Sequence, residues 1–198
     1  MCRICGSRSE TVMHIAAECS VIAHSEYLNR HNKVAQYLHL RLLQINGLEP
    51  VGKRWYNHEP TKVIETEDLK ILWDFNIYTD KKLSSRRPDI VIIYKRTNSG
   101  YIIDVNCPNV KNVLHNKTDK VMKYTDLKIE LERIWGINFQ IIPVVIGCLG
   151  AVSKKINGFI MLLGLQSGEV TTIQEIVLLS TCNILRKFIT QSGLPLIE

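Results

Sequence analysis

No apolar run in this 198-residue chain is long enough to cross a membrane as a helix. The longest, at 141–148 and 159–165, fall far short of the roughly 20 residues that such a span needs. Aromatic residues make up only 7% of the chain and prolines number six, and there is no internal repeat and no low-complexity tract. Collagenous, fibrous and disordered architectures are therefore excluded by composition. The first residues, Met-Cys-Arg-Ile-Cys-Gly, lack the apolar core of a secretory signal, so a soluble intracellular protein is expected. Nor is there a disulfide framework: the six cysteines are three crowded near the start (Cys2, Cys5, Cys19) and three set singly in apolar surroundings (Cys107, Cys148, Cys182). That distribution suits a reducing compartment and a metal site better than cross-links.

What the chain has is a 45% hydrophobic share and a net charge of +6, from 25 Lys and Arg against 19 Asp and Glu. It can bury a real core, and its basic balance makes a polyanionic partner an expectation that charge alone does not identify. Residues 81–133 hold twelve Lys and Arg but only six Asp and Glu, so this segment carries a surplus equal to that of the whole chain.

The spacing Cys2-x2-Cys5-x8-His14-x4-Cys19 offers zinc four ligands within eighteen residues, with His24 and His31 standing behind His14 as alternatives. Thiolate and imidazole in a closed set of four suit a structural ion rather than a catalytic one. Residues 1–25 are thus expected to be a CCHC zinc knuckle, 26–66 a helix and irregular connector, and 67–198 the main domain. In the connector region Val34, Leu38, Leu42 and Ile45 recur at helical spacing over 27–45, with Gly47 as a stop. Strands are predicted at 70–77, 90–94 and 101–105, the last two joined by a polar loop over 95–100. A helix over 117–135 closes at Gly136, an apolar strand buried on both faces follows at 139–146, and helices at 151–164 and 171–190 complete an α/β domain with a mixed sheet.

The chemistry centres on two acids. If Tyr94 faces Tyr101, Asp104 falls opposite Val91, and Asp89 and Asp104 become diagonal neighbours on one face, ~7–8 Å apart. Oxygen ligands at that separation suit Mg²⁺. On the following helix a stripe of Leu131, Leu127 or Lys128, Tyr124 and Lys120 faces the sheet, whereas Lys123 is expected to point away. A lysine on a core-facing stripe needs a counter-charge. Taken singly, Asp89 can open a strand, Asp104 can pair with a surface lysine and Lys120 can lie along apolar surface. Together they point to metal-assisted phosphodiester hydrolysis. Arg86 and Arg87, immediately before the first acid, are the expected phosphate clamps, with Lys95 and Arg96 as further DNA contacts.

The set Cys2…Cys5-Gly6…Glu10-Thr11…His14…Cys19, Tyr27…Arg30-His31…Val34, Trp73-Asp74, Arg87-Pro88-Asp89, Asp104…Pro108 and Lys120…Lys123-Tyr124 resembles the C-terminal region of non-LTR, site-specific retrotransposon polyproteins. There a CCHC zinc knuckle precedes a restriction-like endonuclease of the PD-(D/E)XK superfamily. The resemblance implies an Mg²⁺-dependent endonuclease that acts in the nucleus and nicks double-stranded target DNA to prime reverse transcription of the element's RNA. It also implies Asp89 and Asp104 as magnesium ligands, Lys120 as the catalytic lysine, and Tyr124 and Lys123 as supporting residues. The superfamily's lysine usually stands two positions after the second acid, where this chain has Asn106, and residues 31–45 contain no acid to match a first-helix glutamate. A reverse transcriptase domain is expected upstream, so the chain reads as a fragment, a truncated copy or a domesticated remnant of such a polyprotein. The competing readings are a catalytically silent nucleic-acid-binding module that keeps the fold, and a CCHC scaffold for RNA or protein.

Overall fold

The computed structural model describes residues 1–191; residues 192–198, which the sequence assigns to the main domain, lie outside the described residues. Two short helices, α1 (Val12–Ala17) and α2 (Ser20–Ile22), lead through a π-turn at Ala23–Tyr27 into the long helix α3 (Leu28–Ile45). Five strands follow: β1 (Val63–Glu65), β2 (Leu69–Trp73), β3 (Ile90–Tyr94), β4 (Ser99–Asn106) and β5 (Asn138–Val145). Helix α4 (Val113–Trp135) joins β4 to β5, and α5 (Ile156–Leu162) and α6 (Gly168–Gln191) end the chain.

The sheet order is β1-β2-β3-β4-β5, antiparallel from β1 to β4, with β5 added parallel to β4. A parallel neighbour needs a crossover, and α4 provides it. Alternation along β3 and β4 sorts the side chains between two cores. Ile90, Ile92 and Ile103 face α3, α5 and α6 through Val34, Leu38, Leu42, Ile160 and Ile173. Val91, Ile93 and Ile102 face α4 through Tyr124, Leu127 and Leu131. The sheet is therefore covered on both sides, as the mixed α/β composition of elements requires.

Several details differ from the sequence reading. Strand β1 lies inside the stretch read as irregular; three residues at a sheet edge are too few to show a period. Strand β2 stops at Trp73 because Asp74 turns to a positive φ of 43°, so 75–77 leave the ladder. The β3–β4 turn is four residues long, not six, since Asn98 adopts φ 47° and tightens it. The pairing is thus Tyr94↔Ser99 and Ile90↔Ile103, shifted by two from the expected register. A shift of two keeps every side chain on its face. The ladder ends at Ile90↔Ile103, and Asp89 lies one residue outside it, where its carboxylate accepts from Val105 N–H. Helix α4 begins four residues early and ends at Gly136 with φ 63°. Strand β5 is buried on both faces only from Ile142 onwards; as the edge strand it leaves Asn138 and Gln140 exposed.

Two buried features lock the helices to the rest. Arg30, 1% exposed, donates from Nη1 to the Ala16 carbonyl at 2.8 Å and to Thr181 Oγ1 at 2.9 Å, and from Nη2 to the Cys107 carbonyl at 3.1 Å. On the far half of α3, His39 and His58 stack at 5.0 Å between ring centroids, with His39 Nδ1 2.7 Å from His58 Nε2. That contact seats the connector on the helix.

Candidate functional site

At the amino end, the Cys2 and Cys5 segment folds into a tight turn: Gly6 N–H donates to the Cys2 carbonyl and Cys2 N–H to that of Arg8. Thr11 caps α1 by accepting from His14 N–H at 3.1 Å, which brings the imidazole back towards the turn. The ligand atoms of Cys2, Cys5, His14 and Cys19 then lie within 4.8 Å of one another, with Cys5 Sγ 3.3 Å from His14 Nε2. Three sulfurs and one nitrogen so gathered can hold a metal ion such as zinc. His14 Nδ1 is buried without a partner, so Nε2 is the atom facing the thiols. Hydrogen bonds from Ser7, whose hydroxyl lies 3.1 Å from Cys5 Sγ, pull the Cys5 thiol down to about 5, towards the thiolate a metal requires. Burial pushes the Cys19 thiol up. This unit does not hang free. Cys2, Ile15 and Cys19 pack on Ile184 and Phe188 of α6, and Tyr27 O–H donates to the Ile15 carbonyl at 2.7 Å while accepting from Cys19 N–H at 3.0 Å.

The second cluster lies where β3 begins and β4 ends. Asp104 is 2% exposed and faces α4; its Oδ2 is 2.6 Å from Lys120 Nζ and its Oδ1 3.6 Å from Lys123 Nζ. Oδ2 has no solvent and, beyond that ion pair, no hydrogen bond in line. Lys123 departs from the sequence reading. Rather than pointing away, it folds over the Tyr124 ring, 4.5 Å from its centroid, and donates to Tyr124 Oη at 2.8 Å. Tyr124 in turn donates to the Arg87 carbonyl at 3.2 Å. Burial, and after it the charges of Asp104 and Asp89, push the Tyr124 phenol well above its ordinary value, so it stays a donor.

Asp89 accepts at Oδ2 from Val105 N–H at 2.6 Å and lies 3.1 Å from His31 Nε2. The other nitrogen of His31 is 3.1 Å from Asn32 Oδ1. Burial pulls the His31 imidazole down, but its hydrogen bond to Asp89 and that carboxylate's charge win and leave it raised. His31 is the residue that sequence reasoning placed elsewhere, as a reserve zinc ligand. A signal was present: 31 sits one turn before Val34 and Ala35 on the stripe that packs against the sheet, and a polar side chain there needs a partner.

A cleft of about 370 Å³ opens beside Asp89, walled by His31, Asn32, Trp73, Asp74 and Arg87. Arg87 reaches Asp74 Oδ2 at 2.5 Å, and Lys62 reaches the same oxygen at 2.9 Å. Arg86 is half-buried and gives its carbonyl to Ile77 N–H. Lys95 and Arg96 stand at the other end of β3, ~20 Å along the chain from Asp89, paired with Glu65 and Asp68. They do not join this cluster, because the strand that links them to Asp89 is fully extended.

The arrangement offers oxygen donors from two strands, two ammonium groups and a phenol from one helix, and an imidazole from another. No protein-family model matches the chain, and no curated protein matches it.

Proposed function

We propose that the chain is a metal-dependent DNA endonuclease domain, of the restriction-like kind found in non-LTR retrotransposon polyproteins. In that setting it would nick duplex DNA and expose a 3′ end for priming reverse transcription. The observation that carries the reading is the convergence of Asp89 and Asp104 with Lys120, Lys123 and Tyr124. Asp104 is buried and Asp89 half-buried, and carboxylates in such surroundings are unfavourable without cations beside them.

The residues fit a hard divalent ion. Asp89 and Asp104 supply only oxygen, and Asp104 Oδ2, buried and held by the Lys120 ammonium without an aligned hydrogen bond, keeps lone-pair capacity for a cation. Mg²⁺ bound by these two acids would polarise phosphoryl oxygens and make a nearby water more acidic. The chain's own groups do the rest. Lys120 and Lys123 place positive charge where the phosphorane would gather negative charge. Tyr124 O–H and the Arg87 carbonyl hold Lys123 and the Arg87–Asp89 segment in register. His31 and the backbone N–H of Val105 fix the rotamer of Asp89. Arg87, tethered by Asp74, sits at the cleft as a cation for the flanking phosphate. The Cys2/Cys5/His14/Cys19 unit would hold Zn²⁺ as a structural ion beside the nuclease core. Duplex DNA is the proposed partner, and the nucleus the proposed site of action.

The test is nicking of supercoiled plasmid in Mg²⁺ against EDTA. Asp89→Ala and Asp104→Ala are expected to abolish relaxed-circle formation while retaining DNA binding in a gel-shift. Nicking that survives both substitutions rejects this site. Binding without nicking in the unaltered protein leaves only the silent nucleic-acid module.

A further inference from the structure

The far half of α3 borders a second cleft, built from different chemistry. From His31 at the carboxylate cluster to Arg41 is ten residues, ~15 Å along the helix axis. Here a cavity of about 420 Å³ opens between α3, the segment 51–56 and the first turn of α6. Two aromatic rings stand over it, Trp55 and Tyr56, inclined at 83° with centroids 5.7 Å apart. Trp55 is set: it meets Tyr37 edge-on at 6.4 Å and packs against the main core. Tyr56 is presented outwards, 56% exposed.

Arg54 donates to Tyr56 Oη at 2.9 Å, and its guanidinium carbon lies 6.0 Å from that ring's centroid. Lys53 and Arg41 join it in the lining; Lys53 is paired with Glu49 at 2.8 Å and Arg41 with Glu169, so Arg54 is the cation of the three that no acid among the described residues engages. Glu169 is buried and engaged by Tyr37 as well as by Arg41, the latter at 2.8 Å. Burial and the Glu169 carboxylate hold the Tyr37 phenol up at about 12, so it remains a donor to that acid. The surplus charge thus comes from the rim, beside the exposed ring.

An exposed ring flanked by a guanidinium and an ammonium is the recognition chemistry of an unstacked nucleobase with its phosphates. A duplex cannot supply it, because its base faces are covered by their neighbours. We propose that this cleft binds single-stranded nucleic acid, with a base on Tyr56 and the adjoining phosphates on Arg54 and Lys53. The site stands apart from the nuclease reading, and shares no residue with it.

The experiment uses the full chain and fluorescein-labelled 12-mers, oligothymidylate and oligouridylate, read by anisotropy; the two probes separate DNA from RNA as the strand held. Tyr56→Ala and Arg54→Ala are each expected to weaken single-strand binding roughly tenfold. Tyr56→Phe, which keeps the ring, is expected to retain it. Duplex binding and plasmid nicking should not change in any of the three, and unchanged melting temperatures exclude misfolding. No measurable single-strand binding by the unaltered chain, affinity untouched by both alanine variants, or an equal loss on duplex overturns the proposal.

Discussion

Lowering the pH from 6.5 to 4.5 is expected to weaken the fold through the His39–His58 pair. His39 is fully buried, and burial, then the neighbouring charges of His58 and Lys53, drop its imidazole to about 3. The 2.7 Å contact needs one nitrogen to donate and the other to accept, so two imidazoliums cannot share it. In an unfolded chain His39 takes up its proton near pH 6.5. Between that value and about 3 the unfolded state therefore binds more protons than the folded one, and stability falls as pH falls. The contribution is whole above pH ~6.5. One proton costs ~1.36 kcal/mol per pH unit, so two units remove ~2.7 kcal/mol, a large part of a typical domain's 5–15 kcal/mol. Urea titrations at pH 7.0, 6.0, 5.0 and 4.5 measure the effect against His39→Gln, which cannot titrate there. The unaltered chain should lose stability more steeply than the variant by about 1.4 kcal/mol per unit. His31, whose raised value adds stability that is lost as pH rises, is common to both proteins and cancels. So do the thiol and histidine ligands at the amino end. Parallel pH profiles would refute the argument.

Three further outcomes are expected. With Zn²⁺ held by the four ligands as proposed, a chelator or Cys19→Ser should lower the melting temperature and abolish one equivalent of bound metal by elemental analysis, since metal binding to such a site is coupled to its folding. Lys120→Ala should slow plasmid nicking ~100-fold with DNA affinity retained, and Lys123→Ala should slow it less, because its nitrogen is 1.0 Å further from Asp104 (3.6 against 2.6 Å). Gly100→Ala would set a methyl within 2.9 Å of three atoms of the Phe139 ring, at a cost of about 1–3 kcal/mol and a fall of several degrees in melting temperature.

The sequence showed most clearly those elements whose period is long and regular. Strand β3 carries four buried residues in a row and α4 repeats its stripe at 124, 127 and 131, so both were legible. The alternation of β3 and β4 placed Asp104 towards α4, but Asp89 lies just before the ladder begins and is drawn to His31 of α3, which alternation alone does not foresee. The register itself was not legible: it turned on Asn98 adopting a left-handed backbone, which asparagine accepts more readily than most residues but which the spacing of apolar positions does not locate. Lys123 escaped for another reason. Helical spacing fixes where a Cα lies, but a side chain with four methylenes can fold round an aromatic neighbour and reach the opposite side. The His31–Asp89 contact joins residues 58 positions apart, beyond any local pattern. Arg30 and His39 are polar residues on an apolar stripe, visible as anomalies but with partners that only the fold supplies.

Arg30 has a consequence that reaches past its own neighbourhood. Its guanidinium is gripped by three oxygens and no acid, and one of the three is the carbonyl of Cys107, three residues after Asp104. Another belongs to Ala16, between two of the sulfur- and nitrogen-bearing ligands. Slackening at the amino terminus would strand a cation in the interior and tug on the strand that presents the second acid. Damage to the thiols by oxidation would accordingly be felt by a carboxylate none of them touches.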